Sequence, residues 1–95
     1  MEITEARSSV KAIYLQAAAM AGLDVSAFSP ERFADLVTEG YARVTKEHRR
    51  PEAVANALRL MAETLMIAQE KNLASLSEEN VMQAKDRTCP VYPFD

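Results

Sequence analysis

Imidazole and thiol side chains, the usual carriers of nucleophilic and near-neutral acid–base chemistry, are scarce in this chain. It holds a single histidine, His48, and a single cysteine, Cys89. His48 stands in the run Glu47-His48-Arg49-Arg50, expected at the end of a helix, where the dipole favours a cation and a solvated, cap-like role suffices. Cys89 precedes Pro90 in a proline-flanked segment, where packing as a small apolar group is the simpler reading. One His and one Cys cannot close a zinc site within one chain. A di-iron helical bundle needs Glu three residues before His, and Thr45 stands there. No glycine-rich phosphate loop is present, neither G-x-G-x-x-G nor a Walker pattern. The sequence therefore points away from an enzyme and assigns no catalytic residue, no metal ligand and no cofactor.

Two groups could bind rather than react. Arg43, Lys46, Arg49 and Arg50 gather in the middle of the chain. Arg43, Lys46 and Arg50 share one face if a helix continues that far, and such a turn can grip phosphates. Residues 43–59 carry a net charge of +3, with −3 on either side, for −3 in all. The acidic balance, with a pI near 5.2, argues against a nucleic-acid-binding domain, so that role stands as the alternative. The second group is Val91, Tyr92 and Phe94, between and beyond Pro90 and Pro93. The prolines lower the entropy cost of holding these side chains extended. Docking on the chain's own helices or on a second copy is expected, with a PxxP-type linear motif ranked below it.

These groups need elements to place them. The chain has 95 residues, 48% of them hydrophobic, with six aromatics and no Trp. An aliphatic, alanine-rich core with few β-branched or aromatic residues suits packed helices better than a sheet. Two glycines and four prolines leave room for few, long elements. The acidic opening Glu2 to Glu5 and the lack of a long apolar run argue against a secretory signal or a membrane span. The lone cysteine fits a reducing compartment, so a cytoplasmic, non-membrane protein is expected. The reading is an all-α, single-domain fold over residues 1–95: four helices with a long third helix, and an extended tail over residues 87–95.

The first helix is expected from about Thr4 to Ala21, with Ala6, Val10, Ile13, Tyr14 and Ala17 inward. Gly22 takes the left-handed position past its end and Leu23 the apolar contact that follows. Ser29 caps the second helix and Pro30 opens it. Its stripe is Phe33, Leu36, Val37, Tyr41 and Val44, and Gly40 is either tolerated or marks a close helix crossing. The chain is expected to break, or else to kink, at Arg49-Arg50-Pro51, with the third helix running from Pro51 to Lys71 or Asn72. Val54, Leu58, Met61, Leu65 and Ala68 form its periodic stripe, widened by Leu60, Met66 and Ile67. Ser77 caps the fourth helix, which turns Val81, Met82 and Ala84 inward and ends near Asp86. The stretch Leu73 to Val81, following a long helix, resembles the end of histone-like and ATPase-lid helical units, through a cap and a helical rhythm. No internal repeat is visible. A helix apolar on most sides is central in its core or shared with a partner. The leading expectation is a non-enzymatic interaction protein acting as a homodimer through Leu58, Leu60, Met61, Leu65, Met66 and Ile67.

Overall fold

A computed structural model describes the backbone of residues 3–38 and 46–88, and the side chains of residues 6–38 and 52–88. The fold is all-α: α1 (Ile3–Met20), α2 (Pro30–Thr38), α3 (Lys46–Lys71) and α4 (Glu78–Arg87). The expected tail residues Val91, Tyr92 and Phe94, with Cys89, lie outside the described residues, as do Gly40, Tyr41, Arg43 and Val44.

Two helix ends obey one local rule. After α1, Gly22 takes φ 70°, its N–H donates to Ala19 O (3.1 Å), and Leu23 N–H donates to Ala18 O (2.9 Å). After α3, Asn72 takes φ 56°, its N–H donates to Gln69 O (3.2 Å), and Leu73 N–H donates to Ala68 O (2.9 Å). Both are Schellman hooks, which satisfy orphan carbonyls and turn an apolar residue back onto the helix. Gly adopts the left-handed conformation freely, and Asn is among the few other residues that visit it routinely.

The next helix starts are matched as well. Arg32 N–H donates to Ser29 Oγ (3.1 Å), and Asn80 N–H donates to Ser77 Oγ (3.4 Å). A buried residue precedes each cap, Phe28 or Leu76, and another stands four after it, Phe33 or Val81. That spacing is the hydrophobic staple. The chain thus holds two helix–hook–helix units built alike, a repeat of local rules with almost no repeat of residues.

The two hooks are joined. Asp24 N–H donates to Ala74 O (3.0 Å) and Asp24 O accepts from Leu76 N–H (3.0 Å), a parallel bridge between Asp24 and Ser75. Helices α1 and α3 therefore run side by side toward the bridge, and theirs is the most extensive helix packing. Helices α2 and α4 lead away from it. Ion pairs lace the exposed seams: Arg7 to Asp35 (2.8 Å), Lys11 to Glu31 (3.5 Å), Arg32 to Glu78 (3.0 Å) and Arg87 to Glu70 (3.5 Å).

The core gathers at Tyr14. Its ring stacks on Phe33 (centroids 4.8 Å, 19°) and meets Phe28 edge-on (5.7 Å, 80°). Its hydroxyl donates to Phe28 O at 2.7 Å, so the one polar atom of the cluster is satisfied. Burial, with the Asp24 charge second, pushes the Tyr14 phenol up to about 12. Ala6, Val10, Ala18, Leu36, Val37, Leu60, Ile67, Leu76, Val81 and Ala84 are among the other buried residues of this core.

Three expectations need correction. Helix α3 begins at Lys46 and runs through Pro51, so Arg49-Arg50-Pro51 is not a break. Pro51 is its sixth residue, where the missing donor forfeits only a bond near a helix start. His48 therefore lies within α3 and not at a helix end before Pro51. The inward stripe of α3 is Ala53, Ala57, Leu60, Thr64 and Ile67, flanked by Asn56, Met61 and Ala68. Leu58, placed on that stripe by spacing, is 55% exposed. Met82 is exposed, and only Val81 and Ala84 of α4 face inward.

Candidate interaction surface

At 100° per residue, the inward stripe of α3 leaves Ala55, Leu58, Ala62, Leu65, Met66 and Gln69 on the opposite side. Leu58, Ala62, Met66 and Gln69 are exposed, and Leu65 and Ala55 are half-buried. None is charged. The charges of this length of helix, Glu52, Arg59, Glu63 and Glu70, fall along one edge of the strip, nearest α4.

Of the six sequence-selected apolar residues, Leu60, Met61 and Ile67 are buried in the chain's own core. Leu58 and Met66 are exposed on the strip, and Leu65, partly buried against the core, lies at its edge. Ala62 and Gln69 belong to the same strip, though sequence reading passed over them. Their signal was the spacing 58, 62, 66 and 69 without a charge.

Two hollows border the strip. One, of ≈ 370 Å³, lies where α1 and α3 end, lined by Ala21, Leu23, Leu65, Ala68, Gln69, Asn72 and Leu73. The other, of ≈ 340 Å³, lies between α3 and the end of α4, lined by Arg59, Ala62, Glu63, Arg87 and Thr88. Thr88 closes α4, its hydroxyl donating to Ala84 O at 2.6 Å. The last described residue therefore stands beside the middle of the strip.

Lys46, Arg49 and Arg50 lie in the first turns of α3, and their side chains, with that of His48, are outside the described set. Arg43 lies outside the described residues altogether. The hooks place α1 and α3 in a register offset by about 50 residues, read from Ala18 and Ala68. Ile3 is then level with Ala53, and the basic turns project past the start of α1. Among the described residues, no group of three or more His, Cys, Asp and Glu is placed to hold a metal ion. Among them also, no helix is long and apolar enough to cross a membrane. Compared with known proteins, the chain matches no family model, no curated protein and no solved structure.

Proposed function

We propose that the chain is a non-enzymatic helical interaction protein that self-associates through the outward face of α3. The observation that carries this reading is the uncharged strip of Leu58, Ala62, Leu65 and Met66, with Leu58 and Met66 each about half exposed (55% and 52%). Wetting large apolar groups together on one helix is unfavourable, and a contiguous apolar patch marks an interaction site more often than isolated exposed residues do.

The spacing favours a second copy as the partner. In a two-fold antiparallel helix pair, contacting residue numbers add to a constant, because residue i meets j and j meets i. With the crossing at Ala62, Leu58 of each copy faces Met66 of the other, and Ala55 faces Gln69. The small residue falls at the crossing, where helix axes approach most closely.

The test is direct. In a Cys89→Ser background, Ala62→Cys stands next to its own symmetry mate and forms a disulfide-linked dimer under mild oxidation. Sedimentation of the parent shows dimer at about 50 μM, the range of a modest specific interface. A monomer at that concentration and no linked dimer would refute the reading.

A second reading is a nucleic-acid contact by the basic start of α3. The observation favouring it is the placement of Lys46, Arg49 and Arg50 three and four residues apart on one helix, α3. Retardation of random DNA or RNA at low salt, lost in the Lys46→Gln/Arg49→Gln/Arg50→Gln variant, supports it. No retardation at low salt eliminates it, because the phosphate interaction is strongest there.

A further inference from the structure

We infer that Met66 is a modification site: a peroxide-class oxidant converts its thioether to the sulfoxide in the single copy, and the modified chain no longer pairs well through the α3 strip. The modification stands on the exposure of this side chain. Its effect on assembly rests on the self-association reading above.

The fold grades the methionines by access. Met61, five residues earlier on the same helix, is buried in the core (2% exposed). Met66 is half exposed on the strip, and Met82 is exposed on α4. Met20 closes α1, outside the strip, and is 88% exposed. Oxidation needs the oxidant to reach sulfur, so Met20, Met66 and Met82 react while the folded chain shields Met61. In the step itself, a sulfur lone pair attacks one oxygen of hydrogen peroxide. The S–O bond forms as the O–O bond breaks. Sulfur gives up two electrons, the peroxide is reduced, and the departing oxygen leaves as water.

Of the three accessible sites, only Met66 lies on the strip. In the two-fold antiparallel pair it packs on Leu58 of the second copy, and the contact occurs twice. A sulfoxide places a strong acceptor oxygen against Leu58, which has no donor to offer. Leaving that acceptor unsatisfied weakens pairing about tenfold for one modified copy and about a hundredfold for two. The fold of a single copy does not share this cost. At the offset of 50 residues, Gln16 is the α1 counterpart of Met66 and is exposed, so the architecture accepts a polar side chain there. The coupling is reciprocal: an oxidised Met66 disfavours the pair, and the pair shields Met66 from oxidation.

Two measurements decide it, both in a Cys89→Ser background with hydrogen peroxide as the probe. The first follows the sulfoxide at each methionine by peptide mass. At about fifty times the dimer Kd, about nine chains in ten are paired. Met66 then reacts about ten times more slowly than in dilute protein, while Met20 keeps its rate. The second compares dimer Kd by sedimentation before and after oxidation that leaves Met61 unmodified and the helical circular dichroism unchanged. Oxidation weakens the dimer at least about tenfold in the background chain and in its Met20→Leu/Met82→Leu variant. The Met66→Leu variant keeps its Kd after the same treatment.

A Met66 that resists peroxide in dilute protein overturns the modification site. If the chain dimerises while the Met66 rate ignores concentration, or oxidation weakens Met66→Leu equally, the coupling is overturned and self-association stands. If the chain stays monomeric at about 50 μM, the coupling and the self-association reading both fall.

Discussion

Replacing Tyr14 with Phe removes one oxygen from the centre of the core and leaves the ring packing in place. That oxygen donates to Phe28 O at 2.7 Å in a fully buried setting. Its loss leaves the carbonyl with one partner fewer and destabilises the protein by about 1–2 kcal/mol at neutral pH. For a domain of this size the melting temperature falls by roughly 4–8 °C per kcal/mol. The same hydroxyl makes a second, opposite contribution at high pH. Its folded-state pKa is pushed up to about 12, above the unfolded value near 10, chiefly by burial. A raised folded pKa means the stability is complete below pH 10 and is lost as the pH rises toward 12. The loss is about 1.4 kcal/mol per pH unit, or about 2–3 kcal/mol over that window. Urea unfolding of parent and Tyr14→Phe, followed by circular dichroism from pH 7 to 12, isolates this residue in the difference between the curves. The parent is the more stable protein at pH 7, the two converge near pH 11, and the order reverses by pH 12. A difference that stays constant through pH 12 would refute the argument and assign alkaline sensitivity to other groups.

Two further outcomes follow from the hooks and seams. Gly22→Ala destabilises by about 1 kcal/mol although an added Cβ would meet nothing within 4 Å, because the penalty is the left-handed backbone itself. Asn72→Gly, at the equivalent hook, stays within about 0.5 kcal/mol of the parent by the same chemical-denaturation assay, and a large loss in the second with none in the first would contradict the shared geometry. Glu78 is held below the usual carboxylate range by the Arg32 hydrogen bond first and its charge second. Its contribution is therefore present at neutral pH and disappears as the pH falls through that lowered value. Arg32→Gln returns the Glu78 carbon-13 titration midpoint toward the ordinary value, and an unmoved midpoint excludes Arg32 as the cause.

Local signals in the sequence were legible because they act through neighbours in the chain. Ser29-Pro30, Ser77 and Gly22-Leu23 each specify a cap or hook within four residues, and all appear as expected. The inward faces of α2 and α4 were also largely readable, since Phe33, Leu36, Val37, Val81 and Ala84 are apolar at helical spacing. The inward face of α3 was not. Large apolar residues stand on both sides of that helix, so periodicity admitted either face. The side against α1 is the one with small residues, Ala53 and Ala57, which allow close approach. It also holds Thr64, whose hydroxyl returns to Leu60 O at 2.7 Å and so tolerates burial. Hydrophobicity alone ranks Leu58 above Thr64 for the core, whereas packing and internal hydrogen bonding reverse that order. The bridge between Asp24 and Ser75 had no sequence signal, because it uses only backbone groups.

The doubled architecture supplies its own control for the proposed surface. Helices α1 and α3 play equivalent parts, each ending in a hook and each packed along the other. At an offset of 50, the outward residues of α1 opposite Leu58, Ala62, Leu65 and Met66 are Ser8, Ala12, Leu15 and Gln16, all exposed. Ala62 and Leu65 match their counterparts in type, while Leu58 and Met66 replace Ser and Gln. The fold therefore does not require apolar groups at 58 and 66, since α1 does the same structural work with polar ones. Leu58→Ser/Met66→Gln writes the α1 solution onto α3. The isolated monomer of that variant, compared with parent at low protein concentration, keeps its stability within about 0.5 kcal/mol, the range of surface substitutions away from special features. At about 50 μM it does not dimerise, whereas the parent does. If the variant loses several kcal/mol as a monomer, the two side chains serve the fold of a single copy; if it keeps both stability and dimer, the interface lies elsewhere.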